Sequence, residues 1–332
     1  MHPVPRRSLL ALLAAAPFTG FAQQRLDRFV VAGWSKPITE VTPLLVDPDK
    51  GFYKAQGLAL EYVPGAGSAD ALRNILAGQA DVAFCDPLTF FAALDKGEKL
   101  RAIYDIYPQN VFNVVSLKGS GITKPADLKG KKIGVYSLAS GTRQGLQVLL
   151  HSAGLSESDV TVVVTGLLNF APLMQGQVDA TAATDTGLLI GKRRGLPDVN
   201  VLEVGQVLPM SSDLFVVRKE TFHAKRALLQ RFLHANRDAA LWMIQQPQEA
   251  AQLAAKRAID GNDVAMNLEI IRARNASSVS ELTRRKGLGT LDVASLQAAA
   301  DTYRKLGMIA RPLDVAKFVS NDLLPAHKGD AG

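Results

Sequence analysis

The sequence predicts an α/β fold of two similar lobes, and three features carry that expectation. Strand-like apolar runs alternate with amphipathic helical runs, the pattern of a largely parallel sheet covered by helices. A phrase in the first half, "LRNILAGQADVAFCD" (72–86), returns in the second as "NFAPLMQGQVDATAATD" (169–185). Each is a helical run, Gly-Gln, an Asp-led strand and a loop holding an acid, Asp86 or Asp185. Finally, two apolar runs, "VFNVVSLKGSG" (111–121) and "SSDLFVVRKETF" (211–222), stand about a hundred residues apart. They would carry the chain out to a second lobe and back.

The elements follow in order. "RFVVAGWS" reads as a buried strand that Gly33 breaks before a loop. "GFYKAQGLALEYVPGAGS" ends a helix at Gly57 and continues as a strand over 58–63. Ser68 is placed to cap the next helix, with Ala71, Leu72, Ile75 and Leu76 on one face and Gly78 as terminator. "ADVAFCD" is the following strand. "KPADLKGKKIGVYSLASGTRQGLQVLLHSAGL" supplies a turn, a strand over 132–136 and a helix over about 142–152, and "VTVVVT" is another strand. From Thr221 the pattern is helical: "KRALLQRFLHANRDAALWMIQQ" sets Leu228, Leu229, Phe232, Leu233, Ala240 and Leu241 on one side and stops near Pro247. Two more helices cover 248–259 and 293–306. The expected division is 27–112 with 217–326 as lobe one and 113–216 as lobe two.

With 332 residues, 47% hydrophobic and 21% charged, the chain is long enough for two ordinary cores. The opening "MHPVPRRSLLALLAAAPFTGFAQQ" has a basic start (Arg6, Arg7), an apolar run over 9–18 and small residues up to Ala22. That is the three-part pattern of an export signal, residues 1–22, with cleavage near Ala22. The apolar run is too short to span a bilayer. Cys85 is the single cysteine, so the chain forms no internal disulfide, and within "DVAFCD" it reads as a small buried thiol.

Several stretches are familiar together: "DKGFYKAQGLALEYVPGAGSADALRNILAGQADVAF", "KPADLKGKKIGV" and the Gly-Gln-Val-Asp-Ala strand. They resemble the nitrate/sulfonate/taurine-type solute-binding proteins of ABC importers, a family that also holds binders of thiamine-pyrimidine precursors and whose eukaryotic relatives include thiamine-pyrimidine synthases. The resemblance implies a two-lobe clamshell of the type II periplasmic-binding-protein kind, with the two crossings as hinge and the ligand in the cleft. It also implies a periplasmic monomer that hands a small organic solute to the permease of a membrane importer. The solute would be a sulfonate, a taurine-like zwitterion, an aromatic carboxylate or a pyrimidine precursor. A synthase-like enzyme and a ligand-sensing receptor subunit are the alternatives. The first loop, "GWSKPITEVTPLLVDPDKGFY", departs from many relatives at a place that helps choose the ligand.

Five loops would face that cleft. Trp34 would stack on a planar ligand and Ser35 would hydrogen-bond it. Gly67 and Ser68 bring free N–H groups at a helix start, and Asp86 and Thr89 follow the third strand. In "SLASGTRQG", Ser137, Ser140, Gly141 and Thr142 offer hydroxyls and bare N–H groups at a helix N-terminus, with Thr142 expected to donate to a negative group. Asp185 mirrors Asp86, and two acids argue against a purely anionic ligand. No cofactor is implied. The five histidines lie far apart with no metal-ligand spacing, "GSG" lacks a nucleophile-elbow setting, and one cysteine cannot supply the synthases' cysteine-rich iron motif. The clusters "KRRG" and "TRRKG" lack interleaved aromatics and read as solvated surface, not a nucleic-acid site. Mass spectrometry of the exported protein should find an N-terminus at Gln23 or a near neighbour; recovery of Met1 from the cytoplasm of the native host overturns the export reading.

Overall fold

Residues 25–166 and 170–326 are described by the computed structural model; the export segment lies outside them. The first sheet contains β1 (Asp27–Ala32), β2 (Leu58–Val63), β3 (Val82–Cys85), β4 (Leu100–Tyr107) and, after a long excursion, β10 (Asp213–Arg218). Its order is β2-β1-β3-β10-β4, with β1 parallel to β2 and β3, and β10 antiparallel to β3 and β4. The second sheet contains β5 (Phe112–Leu117), β6 (Lys132–Val135), β7 (Thr161–Val164), β8 (Ala180–Thr184) and β9 (Val199–Glu203), in the order β7-β6-β8-β5-β9. Here β6 runs parallel to β7 and β8, and β5 antiparallel to β8 and β9. The two sheets are thus copies of one topology: three parallel strands, an inserted antiparallel strand, then an edge. The echo between 72–86 and 169–185 is the trace of that repetition in the sequence, because each phrase ends in the strand beside the inserted one (β3 or β8).

Apolar strands form here because helices cover both faces. All of β3 is buried, as is β1 from Phe29 onward. Cys85 lies wholly inside, where burial pushes its thiol well up. Beneath the first sheet, Phe29 stacks on Phe232 of the helix Arg226–Gln245 at 4.4 Å, and Phe215 meets the same ring edge-on at 5.2 Å. This fixes the helical C-terminal half against the first lobe.

The two apolar runs expected as crossings hold β5 and β10, each a strand paired on both sides within one sheet. The backbone of these strands is taken up by the two ladders, and the chain passes between lobes in the segments just before them, 108–111 and 207–212. The return strand spans Asp213–Arg218, inside the expected second run of 211–222. Ser212 ties the two segments together. Its N–H donates to the Tyr107 carbonyl at 2.8 Å, its hydroxyl to the Gln109 carbonyl at 2.5 Å, and its oxygen accepts from Val111 N at 2.9 Å.

Several helices escaped the sequence pattern, among them Pro87–Asp95, Asp185–Arg193 and Val264–Ser277. Val264–Ser277 buries Asn267, Ile270, Ile271, Arg274 and Ser277, so polar residues occupy part of its inner face and blur the apolar stripe.

Beside the crossings, Asp105 of β4 is 2% exposed and accepts from Ser211 Oγ at 2.7 Å. Burial, aided by the Asp292 carboxylate and opposed by the Ser211 bond, pushes its pKa up to about 7. Between the ordinary value of 3.8 and about 7, the folded protein keeps a proton that the unfolded chain has released, so stability falls as pH rises through that window and levels above it. Asp105→Asn keeps an acceptor for Ser211 and removes the titration. It should match the wild type near pH 4 and exceed it at pH 8, as read from urea midpoints, the wild-type slope reaching at most about 1.4 kcal/mol per pH unit. An unchanged pH profile would place the proton elsewhere.

Candidate functional site

A cavity of about 620 Å³ lies between the two sheets and takes its walls from both lobes. The first lobe contributes Trp34, Ile38 and Glu40 from the loop after β1, then Gly67, Ser68 and Asp213. The second contributes Phe112, Tyr136, Ser140, Gly141 and Thr142, with Thr184 and Ile190 behind them. The helix Val264–Ser277 and the turn before it close the remaining side through Asp260, Met266, Ile270 and Arg274. Trp34 and Tyr136 meet edge to face at 6.2 Å, one ring from each lobe. The indole N–H of Trp34 is buried without an acceptor among the described residues.

Six of the residues put forward from the sequence line this cavity: Trp34, Gly67, Ser68, Ser140, Gly141 and Thr142. The others sit elsewhere, each for a visible reason. Ser35 is wholly buried, its hydroxyl donating to the Lys36 carbonyl at 2.7 Å. Asp86 caps the helix Pro87–Asp95, accepting from Thr89 N at 2.8 Å and Thr89 Oγ1 at 2.9 Å, so both residues serve the helix start. Burial holds the Asp86 carboxyl above its usual range. Ser68 is the first residue of its helix rather than the cap, and its oxygen accepts from Asp86 N at 3.1 Å. Ser137 donates across the cleft to the carbonyl of Ala66. Asp185 accepts from Thr186 N at 2.7 Å and pairs with Arg274.

The Ser140 and Thr142 hydroxyls of "SLASGTRQG" are engaged within their own loop. Ser140 caps the helix Gly141–Ser152, accepting from Arg143 N at 3.4 Å while donating to the Ser137 carbonyl at 2.6 Å. Thr142 Oγ1 accepts from Tyr136 N at 3.1 Å and lies 2.9 Å from Ser140 Oγ. Arg143 leaves for Glu157, 2.8 Å away. Gly141 packs on the ring of Phe112, which a Cβ would strike.

Of the groups that bridge the lobes, sequence reasoning named Asp185, Ser137 and Thr89 but missed Arg274, Glu40, Thr186 and Gln144. Arg274 is 1% exposed and pairs with Asp185 of the second lobe and with Glu40 of the first at 3.7 Å, over the ring of Tyr107 at 5.0 Å. Thr186 Oγ1 donates to Glu40 Oε1 at 2.5 Å, again across the cleft. On the other side, the Gln144 amide reaches across with its oxygen facing Thr89 Oγ1 at 2.5 Å and its nitrogen facing the Asp86 carboxylate, and Ala69 N donates to the Ala139 carbonyl at 3.3 Å. Gly67, at φ +141°, meets that same carbonyl so closely that no Cβ fits. Residues 40, 185 and 274 are too far apart in the chain for any local motif to link them. Asp213 was missed because it opens an apolar strand; it is 6% exposed and faces the cavity. Burial first, then the carboxylates of Asp86, Glu40 and Asp105, raise its pKa far above the usual range. Among the described residues no group of three or more His, Cys, Asp or Glu could hold a metal, and no helix is long and apolar enough to cross a membrane.

Two lobes of repeated α/β topology, joined by two crossings and enclosing a cavity, define the periplasmic-binding-protein clamshell. Residues 38–250 match the family described as NMT1/THI5 like, and the chain belongs to that family. It is similar to the riboflavin-binding protein RibY of Chloroflexus aurantiacus, 21% identical over 308 residues that cover 92% of this chain and 88% of that protein. It is also similar to the 4-amino-5-hydroxymethyl-2-methylpyrimidine phosphate synthase of Aspergillus parasiticus, 25% identical over 63% of this chain and 64% of the enzyme. Among solved structures, the alkanesulfonate-binding protein SsuA from Xanthomonas axonopodis pv. citri, bound to MOPS, superposes with a TM-score of 0.70 at 18% identity, covering 89% of this chain and 98% of that one.

Because the Ser140 and Thr142 hydroxyls close their own loop, Ser140→Ala and Thr142→Ala should each lower the stability of the unliganded protein by about 1 kcal/mol in urea titrations. A Thr142→Ala protein as stable as the wild type would mean that this hydroxyl is free for a ligand.

Proposed function

We propose that this chain is the exported solute-binding subunit of an ABC importer, closing two lobes over a small planar organic molecule and passing it to a membrane permease. The observation that carries the reading is the closed cleft itself. The cavity is ringed by bonds between lobes, Thr186 to Glu40 and Arg274 to Asp185 on one side, Ser137 to Ala66 and Ala69 to Ala139 on the other. Those bonds exist only while the lobes are shut, so opening and closing must make and break them. The volume, about 620 Å³, falls within the range of about 300–1,000 Å³ typical of small-molecule sites. Trp34 and Tyr136 supply aromatic walls for a flat ligand. The lobes are taken as residues 27–107 with 213–326, and residues 112–206, the remainder being hinge. The likeness to structures named as a periplasmic sulphonate binding protein and as the ligand-binding component of an ABC-type import system supports export to the periplasm and a permease partner.

A thermal-shift screen of the protein lacking residues 1–22 should find a solute that raises the melting temperature, since saturating ligand stabilises by RT ln(1 + [L]/Kd). Riboflavin, aminopyrimidines, taurine and MOPS belong in the first panel. Small-angle scattering should then show a smaller radius of gyration with the hit than without it. Chemical conversion of the hit by the purified protein would overturn the carrier reading in favour of an enzyme.

A further inference from the structure

We propose that the basic cluster 192–194 is the outer latch of the cleft: Arg193 of the second lobe holds the helix Val264–Ser277 through Glu269, and this exposed ion pair sets how readily the lobes part. The proposal rests on the reading of two lobes that close, and adds the contact that controls their closing. In the sequence the cluster reads as solvated surface. In the structure Arg193 and Arg194 belong to the wall of the cavity, as do Asp260 and Asp263 from the turn before that helix. Arg193 meets Glu269 at 2.9 Å, the two side chains 48% and 39% exposed. Arg194, beside it, has no ion pair among the described residues. Removing Arg193 alone therefore leaves a second arginine in reach, and only a reversed charge removes the latch.

Two helices make this seam, Asp185–Arg193 from the second lobe and Val264–Ser277 from the first, and each contributes one acid and one base. Asp185 pairs with Arg274 at one end and Arg193 with Glu269 at the other, so the helices run antiparallel. Ile190 and Ile270 lie between them on the cavity wall. The crossed charges fit one closed position, because sliding either helix along the other parts both pairs together. The two ends are not equivalent. The Arg274 end adjoins the crossings: Asp185 N donates to the Val111 carbonyl at 2.9 Å, and Gln109 Nε2 donates to the carbonyls of Ala276 at 3.1 Å and Val279 at 2.8 Å. Glu269 stands about 7 Å, and Arg193 about 12 Å, along their helices from that end, at about 1.5 Å per residue. For a given swing about the crossings, the outer pair separates further and breaks first. It also stands in water, so salt screens it, whereas the buried Arg274 is sheltered.

The Ala69 amide reads closure from the far side of the cavity. It is the second residue of its helix, without an acceptor inside that helix, and its N–H donates across the cleft to the Ala139 carbonyl at 3.3 Å. Its hydrogen exchange, followed by NMR on the protein lacking residues 1–22 with no solute added, slows as the closed population grows. Arg193→Glu sets two acids against each other and should speed that exchange about two- to fivefold. Adding Glu269→Arg restores the pair and should return the rate to that of the wild type. An acid in the last turn of its own helix would be as unfavourable in the double variant, so recovery separates the latch from a local loss of helix stability. Raising KCl from about 0.01 M to about 0.5 M should speed exchange in the wild type and slow it in Arg193→Glu, where screening relieves repulsion. Arg285→Glu makes the same change of net charge on the other basic cluster and should leave the rate unaltered. Equal exchange in wild type and Arg193→Glu, no recovery in the double variant, or an equal effect of Arg285→Glu each overturns the latch and leaves a closing cleft intact. An Ala69 amide without protection in the wild type overturns it as well, and the solute-binding reading is then decided by the thermal-shift screen.

Discussion

A guanidinium shut away from water has to be neutralised where it lies, and Arg274 is shut away almost completely. Its neutralising groups come from opposite lobes, Glu40 from the first and Asp185 from the second, with the Tyr107 ring beneath. The pairing ties the angle between the sheets to the charge balance of one side chain. Swinging the lobes apart takes Asp185 away and wets the arginine, so water replaces one partner as the other leaves. The exchange is near balance because a buried ion pair gains little over its solvated state. A hinge needs such a balance: a lock strong enough to define the closed state and weak enough to open. Thr186, hydrogen-bonded to Glu40 from the same helix start as Asp185, adds direction without adding charge.

Much of the architecture was legible because the sheets obey a period. The alternation of apolar strands and helices, the echo of Gly-Gln-X-Asp, and the two apolar runs a hundred residues apart all survive as strands in two sheets of matching order. What could not be read was which polar residues face inward. Asp86 and Asp185 look equivalent in sequence, yet one is absorbed by a helix start and the other by an arginine ninety residues further along. Local patterns reveal caps, and Ser140 as a cap was within reach; they do not reveal partners supplied by distant segments. The helix Val264–Ser277 shows the same limit, since Asn267 and Arg274 sit where a periodicity reading looks for apolar residues.

The loop "SLASGTRQG" illustrates how composition misleads about availability. Small hydroxylated residues suggest donors waiting for a ligand, but a tight loop needs those donors for itself. Ser140 and Thr142 saturate one another, Ser137 and the Tyr136 amide, and Gly141 leaves room for Phe112 rather than for a ligand. The polar groups left to a bound molecule come from other parts of the wall, beside its aromatic and aliphatic surfaces. At 18% identity, the likeness to SsuA speaks for the scaffold alone, and the side chains lining this cavity are the chain's own.

The insertion of β10 between β3 and β4 also dictates an order of assembly. Every strand of the second sheet lies within 112–203, so that sheet closes as soon as its own segment is complete. The first sheet cannot close so early: β3 and β4 are not neighbours, and the strand that joins them is translated only after the whole second sheet has been made. Until then the longer β4 has an empty place on the side that β10 will fill. Loop-closure entropy over that long excursion must be met before the ladder forms, which makes completion of the first sheet the slow, non-local step. A chain built this way keeps its first sheet incomplete until Arg218 has been made, about two thirds of the way along.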